Sequence, residues 1–184
     1  MAFRTNAKWE TPMRRLIAVA GFVALMALCA QIAVPMVPVP MTLQTFAVLL
    51  AGAVLGGGWG AAAVLIYLAL AALGLPVLSD GAGGWQRFAG PTAGYLVAFP
   101  IAAFVAGTLV RRPAFSGPVA GVALMIGAHL LILGLGTGWL ATRIGAGSAL
   151  AAGFTPFLAG AGIKSAAVVV CAAVLRRTPW FRCD

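Results

Sequence analysis

Acidic side chains are nearly absent from this 184-residue chain: three Asp/Glu stand against twelve Lys/Arg, and charged residues make up 8% of the total. A soluble domain carries about 25% charged residues. The chain therefore has too little polar surface to clothe a water-soluble globule. With 62% hydrophobic residues and a mean hydropathy of +1.06, it reads as an integral membrane protein. A formal charge of +9 would suggest nucleic acid in a soluble chain. Here the basic residues fall in small groups between long apolar runs, which is the pattern of topology signals.

Histidine and cysteine are also scarce. His129 is the single histidine, so no two-histidine haem or metal site is available, and its mid-span position points to hydrogen bonding between helices. Cys29 and Cys171 lie inside apolar runs and Cys183 next to the end, with no CxxC spacing, so cysteine reads as small apolar filler. Paired intramembrane carboxylates and a nucleophile elbow are missing, and Ser148 sits in what is expected to be an outer Gly/Ala loop without GxSxG context. The chain is not expected to be an enzyme. The first apolar run, residues 16–34, exceeds the 7–15 residues of a signal-peptide core, and Leu28 before Cys29 argues against a lipoprotein box; the run is read as a retained span.

A helix crosses a ~30 Å hydrocarbon core with about 20 residues. The runs 16–34, 94–110, 118–139 and 154–175 suit that length. The uncharged stretch 41–78 is too long for one crossing and is broken by Gly56-Gly57-Gly58-Trp59-Gly60, so it divides into 42–55 and 61–75. The positive-inside rule tests this split. Six spans place Arg4, Lys8, Arg14, Arg15, Arg111, Arg112, Arg176, Arg177 and Arg182 inside against Arg87 and Arg143 outside, whereas five spans nearly equalise the two sides. Trp9, Trp59 and Trp180 then fall at the inner interface, and Trp85 and Trp139 at the outer one. The expectation is one membrane domain over residues 1–184, with six transmembrane helices and both termini cytoplasmic. No soluble nucleotide-binding domain fits between spans, so an energy source must come from a partner or an ion gradient.

Polar residues at membrane depth are the candidates for function. Lys164 lies about ten residues into the last span, where a lysine costs about 2.5–3.5 kcal/mol to insert and marks a site unless it snorkels to the interface. Gly160 and Phe157 share its helix face, and glycine there is expected to leave room for a ligand. The loop 75–95 brings Asp80, Trp85, Gln86, Arg87, Thr92 and Tyr95, either as a lid or as a connector with belt aromatics. Pro38-Val39-Pro40-Met41-Thr42-Leu43-Gln44-Thr45 enters the second span, where Thr42 and Gln44 either cap the helix or reach a ligand. Tyr67 either lines the pocket or packs in the third span. Together these define a pocket opening outward. Ala20 and Ala24 form a small-xxx-small pair suited to a partner helix.

Four segments carry a family likeness: Val39-Pro40-Met41-Thr42-Leu43-Gln44-Thr45 leading to Leu55-Gly56, Tyr67-Leu68 through Leu73-Gly74-Leu75-Pro76-Val77, Gly90-Pro91-Thr92-Ala93-Gly94-Tyr95, and Pro156-Phe157-Leu158 through Gly160 to Lys164. In order and spacing the chain resembles the BioY family, the biotin-specific substrate-binding (S) components of energy-coupling factor (ECF) transporters. The likeness implies an all-α, six-span S-component bundle in the bacterial inner membrane that binds biotin from outside. It also implies a transmembrane coupling protein and cytoplasmic ATPases as partners, with biotin as cargo and no cofactor. Transport without the ATPase module and a homo-oligomer are left open. The alternatives are an S component for another vitamin, or a six-span enzyme or channel unrelated to vitamins. In the family pattern an aspartate stands where this chain has Ala161, and glycine where it has Ala93. Lys164 is therefore expected to be satisfied by Asp80, a backbone carbonyl or the ligand. Within this reading Lys164 and Gln44 take polar recognition, Arg87 the carboxylate or loop closure, and Trp85 and Tyr95 ring contact, with Asp80, Thr92 and Tyr67 completing the substrate site.

Overall fold

Proline and glycine decide where the apolar runs start and stop as helices. In the computed structural model, which describes residues 12–178, α1 runs Pro12–Gln31, with proline in the first turn where its missing N–H costs nothing. It stops short of the expected end at Val34 because β1 (Ala33–Val34) pairs antiparallel with β2 (Met41–Thr42). The prolines at 35, 38 and 40 between them remove the backbone donors a continuing helix would need.

Helices α2 (Gln44–Leu55) and α3 (Gly57–Ala72) are separated by Gly56 alone. Its φ of +89° is one that a Cβ would oppose. The break falls inside the expected glycine cluster, but Gly57, Gly58 and Gly60 continue as helix, so α3 starts ahead of residue 61. Then follow α4 (Ala93–Leu109), α5 (Pro118–Ile144), α6 (Ala146–Gly153) and α7 (Phe157–Leu175). Two expectations need correction here. Helix α5 continues beyond residue 139 to Ile144, about 40 Å in all at 1.5 Å per residue. Ser148 lies in α6 rather than in a loop: Gly145, at φ +82°, turns the chain, and the alanine-rich run after it is helical by propensity.

By length and apolarity α1, α5 and α7 can each cross a membrane, while α2, α3 and α4 are shorter at 12, 16 and 17 residues. Helix α2 is the axis of the bundle. Every residue from Ala47 to Leu55 is buried, and α1, α3, α4 and α7 pack around it. Such closeness depends on absent side chains. A Cβ on Gly60 would lie 2.6 Å from the Gly52 Cα, and one on Gly107 would lie 2.6 Å from the Gly57 nitrogen. Small residues let helix backbones touch where lipid supplies no hydrophobic drive. The bundle's outer face is apolar, with Leu16, Leu28, Leu65, Val97, Phe104, Ile163 and Val170 exposed, a surface that suits acyl chains.

The two ends of the bundle differ. At the Gly56 turn, the Arg111 guanidinium donates to the Leu55 carbonyl at 3.2 Å and Arg176 donates to the Ala53 carbonyl, satisfying acceptors that the end of α2 leaves open. The Arg15 guanidinium stands 4.9 Å from the centre of the Trp59 ring at the same end. The β-hairpin and the loop between α3 and α4 occupy the other end. Arg4, Lys8, Trp9, Trp180, Arg182 and Cys183 lie outside the described residues. The packing predicts that Gly107→Ala loses about 1–3 kcal/mol through overpacking, read as a lowered unfolding temperature in detergent. Gly134→Ala, with nothing within 4 Å of its Cβ, should unfold like the parent.

Candidate functional site

Where α2 begins, the bundle opens into a cavity of about 690 Å³, within the ~300–1,000 Å³ usual for small-molecule sites. The hairpin loop and the α3–α4 loop form its rim. The start of α2, α4, α5 and α7 form its walls, so residues distant in sequence converge: Thr42, Gln44 and Thr45 with Asp80, Arg87, Thr92, Tyr95, Phe157 and Lys164.

Lys164 projects from α7 and donates from Nζ to the Thr42 carbonyl at 3.1 Å. A backbone carbonyl thus fills the role for which Asp80 or a ligand were the other candidates; Asp80 forms no ion pair with Lys164 or Arg87. An ammonium has three donors, and Thr42 takes one. Gly160, one turn earlier, is not on the cavity wall. A Cβ there would lie 3.3 Å from the Met41 sulfur and 3.7 Å from the Lys164 Cε, so the glycine makes room for Met41 and the lysine stem rather than for a ligand. Phe157 does reach the cavity on the face it shares with Lys164. Ala161, on the same helix, is buried.

Gln44 is fixed from both sides. The Thr42 hydroxyl donates to its Oε1 at 3.3 Å, while its Nε2 donates to the Tyr67 hydroxyl, which in turn donates to the Val77 carbonyl at 2.8 Å. Thr42 Oγ1 also accepts the Gln44 backbone N–H at 3.3 Å, meeting one of the donors that the start of a helix leaves open. The N-cap position itself is Leu43, without a side-chain cap, while Thr42 and Gln44 both line the cavity. Tyr67 is fully buried and stands behind Gln44, off the wall, linking the start of α2 to the α3–α4 loop.

Tyr95 offers its ring rather than its hydroxyl. The hydroxyl donates to the Gly153 carbonyl at 2.8 Å and lies 3.2 Å from Thr137 Oγ1, and the ring stacks against Phe157 at 6.4 Å between centroids. Gly136 and Gly153 have no Cβ where this side chain sits. Arg87 and Asp80 are exposed on the rim and Thr92 is partly buried. Trp85, 71% exposed, is not on the cavity wall.

Several residues that organise the rim escape a sequence reading. Gln31, at the end of α1, donates to the Leu78 carbonyl at 2.9 Å and accepts the Gly81 N–H at 3.1 Å. It braces the turn in which Asp80 adopts φ 58°, the one positive φ of a non-glycine among the described residues. Trp139 Nε1 donates to the Gly90 carbonyl and Arg143 to the Ala89 carbonyl, both at 2.9 Å, securing the loop's far end to α5. For Gln31 the available signal was an uncharged polar side chain at the end of an apolar helix. His129 bridges three helices, with Nε2 3.2 Å from Thr45 Oγ1 and Nδ1 2.9 Å from Ser165 Oγ. Among the described residues no group of three His, Cys, Asp or Glu is placed to hold a metal.

The profile described as "BioY family" matches residues 4–179. A protein of Pyrococcus horikoshii named "Probable biotin transporter BioY" is 44% identical over 154 residues, covering 84% of this chain and 91% of that one. One of Rhizobium etli named "Biotin transporter BioY" is 43% identical over 166 residues, covering 86% and 87%. A crystal structure described as the S-component for biotin from an ECF-type ABC transporter superposes with a TM-score of 0.80 at 27% identity, covering 97% of this chain and all of that one.

The Gln44–Tyr67–Val77 relay predicts that Tyr67→Phe strands a buried amide donor and a carbonyl acceptor. The expected loss is about 1–3 kcal/mol of stability, measured by thermal unfolding in detergent.

Proposed function

The chain belongs to the BioY family, and on that premise we propose that it is a biotin uptake protein, binding biotin in the cavity at the hairpin end as the S component of an ECF-type transporter. The observation that carries the reading is the cavity itself. It joins a membrane-embedded ammonium, a fixed amide, a rim guanidinium and stacked rings, and biotin has a counterpart for each: a carboxylate, a ureido group that donates and accepts, and an apolar thioether ring.

In this reading Lys164 and Gln44 recognise polar groups of biotin, and Arg87 on the rim loop takes the carboxylate or closes over it. Asp80 and Thr92 complete the rim, and Tyr67 acts from behind through Gln44. Ring contact goes to Tyr95 with Phe157, because Trp85 stands off the wall. The protein binds and transports its ligand unchanged, and no reacting group is required of the site.

The topology proposed is a single membrane domain over residues 1–184 that crosses the bacterial inner membrane six times. The arginine-bearing Gly56 turn and both termini are cytoplasmic, and the cavity opens outward. The gathering of Arg15, Arg111 and Arg176 at one end supports this orientation by the positive-inside rule. The partners are the coupling protein and the ATPase subunits. Ala20 and Ala24, exposed on the outer face of α1, offer a small-residue surface to a partner helix.

Titration calorimetry of detergent-purified protein tests the substrate. Biotin should bind with thiamine and riboflavin failing to compete, and Lys164→Ala should weaken binding at least tenfold, about 1.4 kcal/mol. Absence of biotin binding would reject the substrate, and unchanged affinity in Lys164→Ala would reject the lysine's role. For topology, in a background with the three native cysteines replaced, Ala89→Cys, at an exposed position of the α3–α4 loop, should react with an impermeant maleimide in intact cells, and Ser116→Cys only after permeabilisation. The reverse pattern would invert the orientation.

A further inference from the structure

The single histidine of the chain is buried, 2% exposed, and is absorbed by none of the roles above. It lies on α5 and bridges two helices that present cavity residues. Its Nε2 is 3.2 Å from the hydroxyl of Thr45, which lines the cavity at the start of α2. Its Nδ1 is 2.9 Å from the hydroxyl of Ser165 on α7, next in sequence to Lys164, and 3.0 Å from the Met125 carbonyl. Helices α2 and α5 otherwise meet little. A closed circuit results: Lys164 reaches Thr42 directly, while Ser165 reaches Thr45 through the imidazole.

The proton count on this circuit has a chemical consequence. A neutral imidazole has one donor nitrogen and one acceptor nitrogen. The Met125 carbonyl can only accept, and a bare Nδ1 would set its lone pair against that oxygen at 3.0 Å, so the tautomer that avoids this opposition carries its proton on Nδ1, donating to Met125 with Ser165 Oγ as a second acceptor. Nε2 is then bare, and the Thr45 hydroxyl spends its proton on it. What Thr45 turns toward the cavity is a pair of oxygen lone pairs. In the other tautomer Nε2–H would donate to Thr45, whose own O–H would be free to point at the ligand. The tautomer of a buried histidine thus sets whether this part of the wall accepts or donates.

We infer that His129 is a positioning residue for ligand selectivity: as the Nδ1–H tautomer it holds Thr45 as a hydrogen-bond acceptor for an N–H of the bound molecule. This rests on the biotin reading, in which the N–H belongs to the ureido group. It adds to the site a residue that touches no ligand and a wall position whose polarity is dictated from behind.

Two measurements test it. Because the chain has one histidine, ¹⁵N-histidine labelling of protein purified without a polyhistidine tag gives one unambiguous pair of ring signals. The expected spectrum has a protonated Nδ1 and a bare Nε2 without ligand; a protonated Nε2 overturns the inference whether or not biotin is the substrate. The second measurement is biotin affinity in a double-mutant cycle. Thr45→Val and His129→Asn should each weaken binding about three- to tenfold, the equivalent of one hydrogen bond, with the double variant no weaker than the weaker single one. Thr45→Ser should bind like the parent. A biotin analogue methylated on its ureido nitrogens should bind more weakly than biotin to the parent, and both single variants should lose part of that discrimination. A merely structural histidine would lower the unfolding temperature and leave this ratio unchanged, and that result, or additive losses, overturns the inference. If the parent itself fails to bind biotin, the substrate reading falls and the role given to Thr45 falls with it, while the nitrogen spectrum still reports the tautomer.

Discussion

One hydrogen bond, from the Lys164 ammonium to the Thr42 carbonyl, ties the architecture together. A charge at this depth in a membrane helix is costly, and the fold offsets the cost without a carboxylate. Thr42 can serve because the proline-rich segment turns the chain back as a hairpin and delivers β2 to the start of α2, opposite the middle of α7. That one carbonyl takes one of the ammonium's donors and pins the hairpin to α7, and with Gln44 and Thr45 it places the polar start of the central helix on the cavity wall. The hairpin, the position of α2 and the polarity of the cavity are consequences of the same constraint.

The two ends of α2 are treated in complementary ways. At its C-terminal end arginines from outside the helix satisfy the Ala53 and Leu55 carbonyls, acceptors that the last turn of a helix leaves open. At its N-terminal end the Thr42 hydroxyl accepts the Gln44 N–H and Gln44 hands its amide to Tyr67. Charge is therefore concentrated where α2 stops and hydrogen-bonding capacity where it starts. Between them the backbone packing of Gly52, Gly60 and Gly107 leaves no room for a Cβ. The scarcity of charged residues in the sequence is the outward sign of this division, since the few present are spent on helix ends and on the cavity.

Much of this was legible in the sequence because it rests on strong local signals. The break at the glycine cluster, the helical character of the long apolar runs and the singular position of Lys164 needed only residue types and spacing. Motif order added the family. The parts that were not legible depend on contacts between distant residues. Nothing in the sequence distinguishes Gly160 as a seat for Met41 from Gly160 as a ligand cleft, and nothing gives Tyr67 its place behind Gln44. Helix α6 was missed because an alanine- and glycine-rich stretch between spans reads as loop until Gly145 is seen to turn the chain. Trp85, singled out as an aromatic in a polar loop, is not on the cavity wall, whereas Trp139 and Arg143, which hold that loop, read as an interfacial aromatic and a topology charge, and Gln31 carried no signal of its own.

The central claim is that the cavity beside Lys164 is the biotin site. A crystal structure of the protein with biotin tests it most directly. The account predicts ligand density filling the cavity, with a polar atom of biotin within hydrogen-bond distance of the Lys164 Nζ and a ring against Tyr95. Biotin bound elsewhere, with the cavity empty and Lys164 bonded to Thr42 alone, would contradict it.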